Sequence, residues 1–150
     1  MKILFFVLVL NLAGCAQGTG TGNPFYPVFS SGPNAGSMDS IFTGVCNVVI
    51  RCHPTVTSTD CGNGIAPLTG FAAKLGILST PPPTAEQILI MEVQGQITPQ
   101  PTASTACEWK LNDLSCSDPS VMSAYDPTSS SPFAGTVNLL DPICTGVFAH

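Results

Sequence analysis

Residues 37–54, SMDSIFTGVCNVVIRCHP, combine a helical pattern of apolar residues with two cysteines. One helical face would carry the apolar residues at positions i, i+4, i+7 and i+11, which are Ile41, Val45, Val48 and Cys52. Ser37 or Asp39 can cap the start of this helix, and Pro54 ends it because the residue before a proline avoids helical backbone angles. The many β-branched residues leave a strand as an alternative, although the polar positions do not alternate. We expect a helix that ends near Arg51.

Two further helices are indicated by prolines, capping residues and apolar spacing. Pro67 suits the first turn of a helix that ends at Gly76, because the N–H that proline lacks is unpaired in that turn. One face of that helix would carry Leu68, Phe71, Ala72 and Leu75. Thr84 and Gln87 have the spacing of a capping box, in which each side chain binds the other residue's backbone N–H, and they open a helix through Val93.

The C-terminal part of the chain contains three more candidate helix starts. Thr105 and Glu108 have the capping-box spacing again. Asp118 and Asp141 each precede a proline, which is the arrangement of an N-cap residue followed by a first-turn proline. We therefore predict that residues 37–150 form a small all-α domain of five or six short helices.

Six cysteines lie within this domain, and their even number predicts up to three disulfides in an oxidising compartment. They are Cys46, Cys52, Cys61, Cys107, Cys116 and Cys144. Each disulfide typically stabilises a domain by about 2–4 kcal/mol. The alternative is a metal site, because His53 lies among the first three cysteines. Structural zinc sites usually contain closely spaced cysteine pairs, and none occurs here, so we expect neither a metal nor another cofactor.

Helix geometry restricts how these cysteines pair. Cys46 and Cys52 lie about 9 Å apart along one helix, whereas bonded cysteines need Cα atoms within roughly 7 Å, so these two do not bond to each other. Cys52 and Cys61 flank a proline-containing loop and make the best local pair. Many connectivities remain open for six cysteines. The expected pairs are Cys52–Cys61, Cys107–Cys116 and Cys46–Cys144.

The first fifteen residues have the layout of a secretory leader. A positive start, Met1-Lys2, precedes an apolar run over Ile3–Leu10 that is shorter than the roughly 20 residues needed to cross a bilayer. The following Leu12-Ala13-Gly14-Cys15 resembles the lipobox of bacterial lipoproteins. That resemblance implies removal of residues 1–14 as a signal peptide, a diacylglycerol on the Cys15 sulfur and an acyl chain on its new amine. The alternative is an ordinary secreted protein in which Cys15 is an incidental thiol.

Residues 15–36 are expected to form a flexible tether between this lipidated cysteine and the domain. Five glycines and three prolines between residues 16 and 36 oppose regular structure. Four apolar residues are unusual for a spacer, and they either pack back onto the domain, which we favour, or dock a partner: Phe25, Tyr26, Val28 and Phe29. Ala16 stands where lipoproteins of the inner membrane often carry Asp, so the resemblance points to the outer membrane if the host has one.

Few positive charges restrict what the chain binds. After removal of the leader the strong bases are Arg51, Lys74 and Lys110, against nine acidic residues, which gives a net charge of −6. Such a chain does not neutralise phosphates, and this excludes nucleic-acid binding. It also lacks a polybasic patch for anionic lipids, so membrane attachment would rest on the acyl chains.

No catalytic motif is recognisable, and we predict that the chain is not an enzyme. His53 lies at a helix end, where it suits the helix dipole better than the role of a base, and His150 is terminal. Glu86 and Glu92 share a helix but face different directions, which does not fit acid–base catalysis by a pair of carboxylates. Trp109 is expected in the core.

These features together predict a lipid-anchored protein of the cell envelope whose domain is a binding or structural module. Its partner would be the membrane, through Cys15, and another envelope protein or a small apolar ligand. The alternative function is a carrier that holds small apolar ligands in a cavity of roughly 300–1,000 Å³ between its helices.

Overall fold

The computed structural model describes residues 38–148, and this part of the chain contains helices and no strand. Six α-helices and two 3₁₀-helices occur in it. The α-helices are α1 (Met38–Cys52), α2 (Ser58–Ile65), α3 (Gly70–Lys74), α4 (Ala85–Val93), α5 (Pro101–Asp113) and α6 (Pro119–Met122), and the 3₁₀-helices are η1 (Ala134–Leu140) and η2 (Ile143–Gly146). The predicted all-α class is confirmed. Among residues 38–148, no helix is both long and apolar enough to cross a membrane.

The helix α1 is central, because it contacts α2, α4, α5 and α6. Its bounds agree with the sequence prediction, and the strand alternative is excluded. The buried apolar side chains are Met38, Ile41, Phe42, Val45, Cys46, Val48 and Val49. This face is wider than the predicted stripe because neighbouring helices cover α1 on several sides.

The helix α2 was not predicted, and its presence shortens the helix after it. Thr57 and Asp60 form a capping box: Asp60 N donates to Thr57 Oγ1, and Thr57 N donates to an Asp60 carboxylate oxygen, both at 3.1 Å. Because α2 continues to Ile65, Pro67 lies in the turn before α3 and does not begin a helix, as it was predicted to do. Gly76 follows α3 at φ 87°, which confirms it as the stop signal.

The helix α4 has the bounds that the sequence predicted. Thr84 Oγ1 accepts a hydrogen bond from Gln87 N at 3.2 Å, and Thr84 N donates to Gln87 Oε1 at 2.9 Å. The capping box is therefore confirmed. A turn containing Gly95 at φ 69° follows the helix.

Two of the three C-terminal helix starts were wrong. The helix α5 begins at Pro101, so Thr105 and Glu108 lie inside it and form no capping box. Asp118 does cap α6, since Ser120 N donates to its carboxylate at 2.9 Å. Asp141 forms an ion pair with Lys74 instead of capping, and η2 begins after Pro142.

Three disulfides join all six cysteines of the domain, as predicted, but none of the expected pairs occurs. The bonds are Cys46–Cys61, Cys52–Cys116 and Cys107–Cys144, with Cα–Cα distances of 5.7, 5.3 and 4.8 Å. The pairs Cys52–Cys61, Cys107–Cys116 and Cys46–Cys144 were therefore wrong. The unpredicted α2 folds back on α1 and places Cys61 beside Cys46. Because α5 continues to Asp113, its rise separates Cys107 from Cys116.

The core is one cluster of buried apolar side chains drawn from all six α-helices and both 3₁₀-helices. Trp109 is not part of it, because its side chain is 70 % exposed. The expectation that it lies in the core was wrong. Cys107 and Leu111 on α5 are buried, and a residue two positions from each points to the opposite side of the helix.

Candidate functional site

The chemically active side chains of residues 38–148 do not gather at one place. The His53 ring packs against Tyr125 with ring centroids 5.3 Å apart, and Tyr125 packs against Phe133 at 5.0 Å. His53 Nε2 is buried and has no hydrogen-bond partner. Packing therefore holds this ring within an aromatic cluster, at the end of α1. No group of three or more His, Cys, Asp or Glu side chains in the described range is placed to hold a metal ion.

Glu92 links α4 to the start of α1. Its Oε2 atom accepts a hydrogen bond from Met38 N at 2.9 Å. Burial raises the pKa of Glu92 above its usual value, the hydrogen bond from Met38 acts in the opposite direction, and the nearby charge of Asp39 adds to the rise. Burial also raises the pKa of Asp39. Glu86 is exposed in the first turn of α4, so the two glutamates of this helix do not converge.

Two buried polar atoms without hydrogen-bond partners lie one turn apart on α5. They are Ser104 Oγ and Glu108 Oε1. Burial raises the pKa of the Glu108 carboxyl group. Ser104 is buried and Glu108 is half-buried, on a helix that packs against α1 and η2.

A cleft of about 370 Å³ lies between α4 and the loop before it. We call it the α4 cleft. It opens to solvent at the surface and is lined by Ser79, Pro81–Pro83, Gln87, Ile90 and Met91. None of these residues carries a charge, so the cleft suits an uncharged and largely apolar occupant.

Exposed apolar side chains are concentrated near this cleft. Ile90 and Val93 of α4 are 39 % and 63 % exposed, and Leu78 in the preceding loop is 90 % exposed. The opposite face of α4 buries Ala85, Ile88 and Leu89 in the core. A helix that is apolar on both sides either lies fully inside a protein or offers a surface for contact.

The α4 cleft was not predicted from the sequence. The available signal was the apolar run over residues 88–91 together with Val93, which has no helical polar face. Several predicted site residues lie outside the described residues: Cys15, the tether over residues 15–36 with its aromatic segment, and His150. Comparisons with protein-family models, with curated proteins and with solved structures found no match.

Proposed function

We propose that this chain is a lipoprotein of the cell envelope, anchored through an acylated Cys15, and that its disulfide-bonded domain is a binding or structural module. The proposal is supported most directly by which cysteines form disulfides and which one does not belong to them. Six of the seven cysteines in the sequence bond to one another, which suits an oxidising compartment outside the cytosol. The seventh is Cys15, and it stands at the modified position of the lipobox-like sequence.

The remaining charges of the domain support a partner other than nucleic acid. Two of its three strong bases are already engaged within the domain. Arg51 donates hydrogen bonds to the carbonyl oxygens of Asn112 and Leu114, and Lys74 pairs with Asp141. Only Lys110 remains, which is too little positive charge for phosphate binding. Attachment to a membrane would therefore depend on the acyl chains, of which one binds marginally and two or three bind firmly.

The α4 cleft and the apolar residues around it support the binding role. Several exposed apolar side chains close to an open cleft are typical of a contact site. The carrier alternative requires a cavity that encloses its ligand. The α4 cleft is open to solvent and lies outside the core. It therefore suits a surface that docks a partner better than a carrier's enclosed cavity.

Labelling the intact chain in bacteria with radioactive palmitate tests the anchor. We expect a mature form that begins at Cys15, carries the label and fractionates with the outer membrane in a host that has one. Intact-mass measurement should show the added diacylglycerol and acyl chain. The Cys15→Ala variant should lose the label, whereas the nearby Thr19→Ala variant should keep it. An unmodified Cys15, or cleavage at another site, would refute the proposal.

A further inference from the structure

We propose that the α4 cleft binds the chain's own aromatic segment, residues 25–29, and so folds part of the tether onto the domain. The cleft is uncharged and largely apolar, and apolar side chains beside it are exposed. The segment Phe-Tyr-Pro-Val-Phe is the most apolar stretch between the leader and the domain. This docking site lies beyond the proposed anchor and does not depend on it.

The described residues begin close to the α4 cleft. Met38 N lies 2.9 Å from Glu92 Oε2, so the first described residue lies beside the C-terminal half of α4. The cleft is lined by residues of the same helix, Gln87, Ile90 and Met91. These lie within about one and a half turns of Glu92, a distance of roughly 8 Å along the helix axis.

The chain between the aromatic segment and Met38 is long enough to let the segment reach the cleft. Eight residues lie between Phe29 and Met38, so nine Cα–Cα steps connect them. An extended chain covers about 3.3–3.6 Å per residue, so this connection reaches roughly 30 Å. That is enough to pass around α4, whose diameter with side chains is about 10–12 Å, and to enter the cleft from the outer side. The connection also limits the distance of the segment from Met38 to roughly that length.

The aromatic segment and the α4 cleft are chemically complementary. Pro81 and Pro82 are exposed on one wall of the cleft, and Ile90 is exposed on the other. Proline surfaces pack well on aromatic rings, as they do when proline-rich peptides bind aromatic grooves. Residues 16–37 contain no charged side chain, so entry into the uncharged cleft leaves no ion without its water.

The covalent connection favours this occupant over a separate molecule. A segment joined by a short flexible linker experiences an effective concentration of the order of millimolar. A second copy of the chain or another protein would have to compete with it. If the anchor at Cys15 is also present, docking of residues 25–29 leaves only residues 15–24 as a free spacer. This last consequence rests on the proposed function, whereas the docking itself does not.

Site-specific photo-cross-linking of the full chain tests the inference. We would replace Tyr26 with p-benzoylphenylalanine, irradiate, and map cross-linked peptides in the monomer by mass spectrometry. We expect cross-links to residues 79–91. The same amino acid at Thr19 is the matched control and should give about tenfold fewer, since a segment outside the cleft makes no lasting contact.

Two variants show whether the cleft itself is responsible. Ile90→Ser should lower the cross-linked fraction about tenfold, because an aliphatic contact of a docked segment is typically worth that factor. Met122→Ser changes an exposed apolar residue of α6 that does not line the cleft, and it should leave the yield unchanged. Equal yields in the two variants would overturn the inference. Cross-links only between two chains, or only to other surfaces of the domain, would also overturn it.

Discussion

Two parts of the domain differ in what holds them together. Residues 38–61 and 107–148 contain all six bonded cysteines, whereas residues 62–106 contain none. The cysteine-free segment includes α3, α4 and the α4 cleft. It is held by packing and by backbone hydrogen bonds, such as Phe148 N to Leu75 O at 3.0 Å and Gln100 N to Val147 O at 2.8 Å.

This difference separates the cross-linked part of the domain from the part that carries the proposed docking site. Disulfides stabilise mainly by restricting the unfolded chain, so the cross-linked part loses less freedom on folding. The cysteine-free segment lies within the loop that Cys52–Cys116 closes, so its ends are restrained, but no disulfide cross-links it internally and its own helices are held by non-covalent contacts. Binding surfaces are commonly found in segments that open at low free energy. We therefore expect α3 and α4 to open more readily than α1 and α5.

The largest effect is expected from Phe71→Ala in the cysteine-free segment. Phe71 is fully buried on α3 and packs edge-to-face on Phe42 of α1, with ring centroids 5.1 Å apart. Removal of a buried phenylalanine ring typically lowers the free energy of unfolding by about 3–5 kcal/mol. Urea denaturation followed by circular dichroism, with the disulfides intact, measures the loss.

Leu78→Ala is the control for this prediction. Leu78 lies in the same segment but is almost fully exposed, so its loss should change the free energy of unfolding by no more than about 0.5 kcal/mol. Hydrogen exchange of the Phe71→Ala variant should be faster in α3 and α4 than in α1 and α5. A uniform increase over residues 38–148 would show that the two parts open as one unit, which would contradict the expected difference between them.

A second effect is expected from the paired substitution Cys46→Ala and Cys61→Ala in the cross-linked part. This bond closes a loop with a sequence separation of 15, for which the chain-entropy argument gives about 3 kcal/mol. Urea denaturation measures the loss, and hydrogen exchange should increase first in α1 and α2. A loss below about 1 kcal/mol would mean that packing, and not the covalent bond, holds these two helices together.

The elements that the sequence predicted well are those with local signals. The capping box at Thr84, the cap at Asp118 and the stop at Gly76 each involve residues within four positions of one another, and all three are confirmed. The capping box at Thr57 has the same kind of signal and was overlooked. That single omission also made the pairing of Cys46 unpredictable, because α2 is the element that carries Cys61 to it.

Features that depend on long-range packing were beyond the sequence. Trp109 is exposed because a different side of α5 packs against α1. The spacing of apolar residues on α5 does not show which side packs. Asp141 has the local pattern of an N-cap residue, but it forms an ion pair with Lys74, which is distant in sequence, and does not cap a helix. The α4 cleft likewise forms between a helix and a loop whose relative position no short motif encodes.

The smallest effect concerns Glu92, where the cysteine-free segment meets α1. Burial raises the pKa of this carboxyl group, so the folded domain binds a proton more tightly than the unfolded chain does. The stabilisation from this proton is complete below the ordinary value of 4.5 and is lost as the pH rises through the raised pKa. At pH 7 the charged carboxylate therefore opposes folding. Glutamine lacks the charge but keeps an oxygen that accepts the hydrogen bond from Met38 N.

Glu92→Gln should consequently raise the thermal midpoint at pH 7 and leave it nearly unchanged at pH 3.5, as measured by circular dichroism at both pH values. Glu86→Gln is the matched control on the same helix. Glu86 is exposed in the first turn of α4, where a negative charge favours the helix by about 0.3–1 kcal/mol, so its loss should lower the midpoint at pH 7. If both variants shift the midpoint in the same direction at pH 7, burial of Glu92 is not what sets the strength of the contact between α4 and α1.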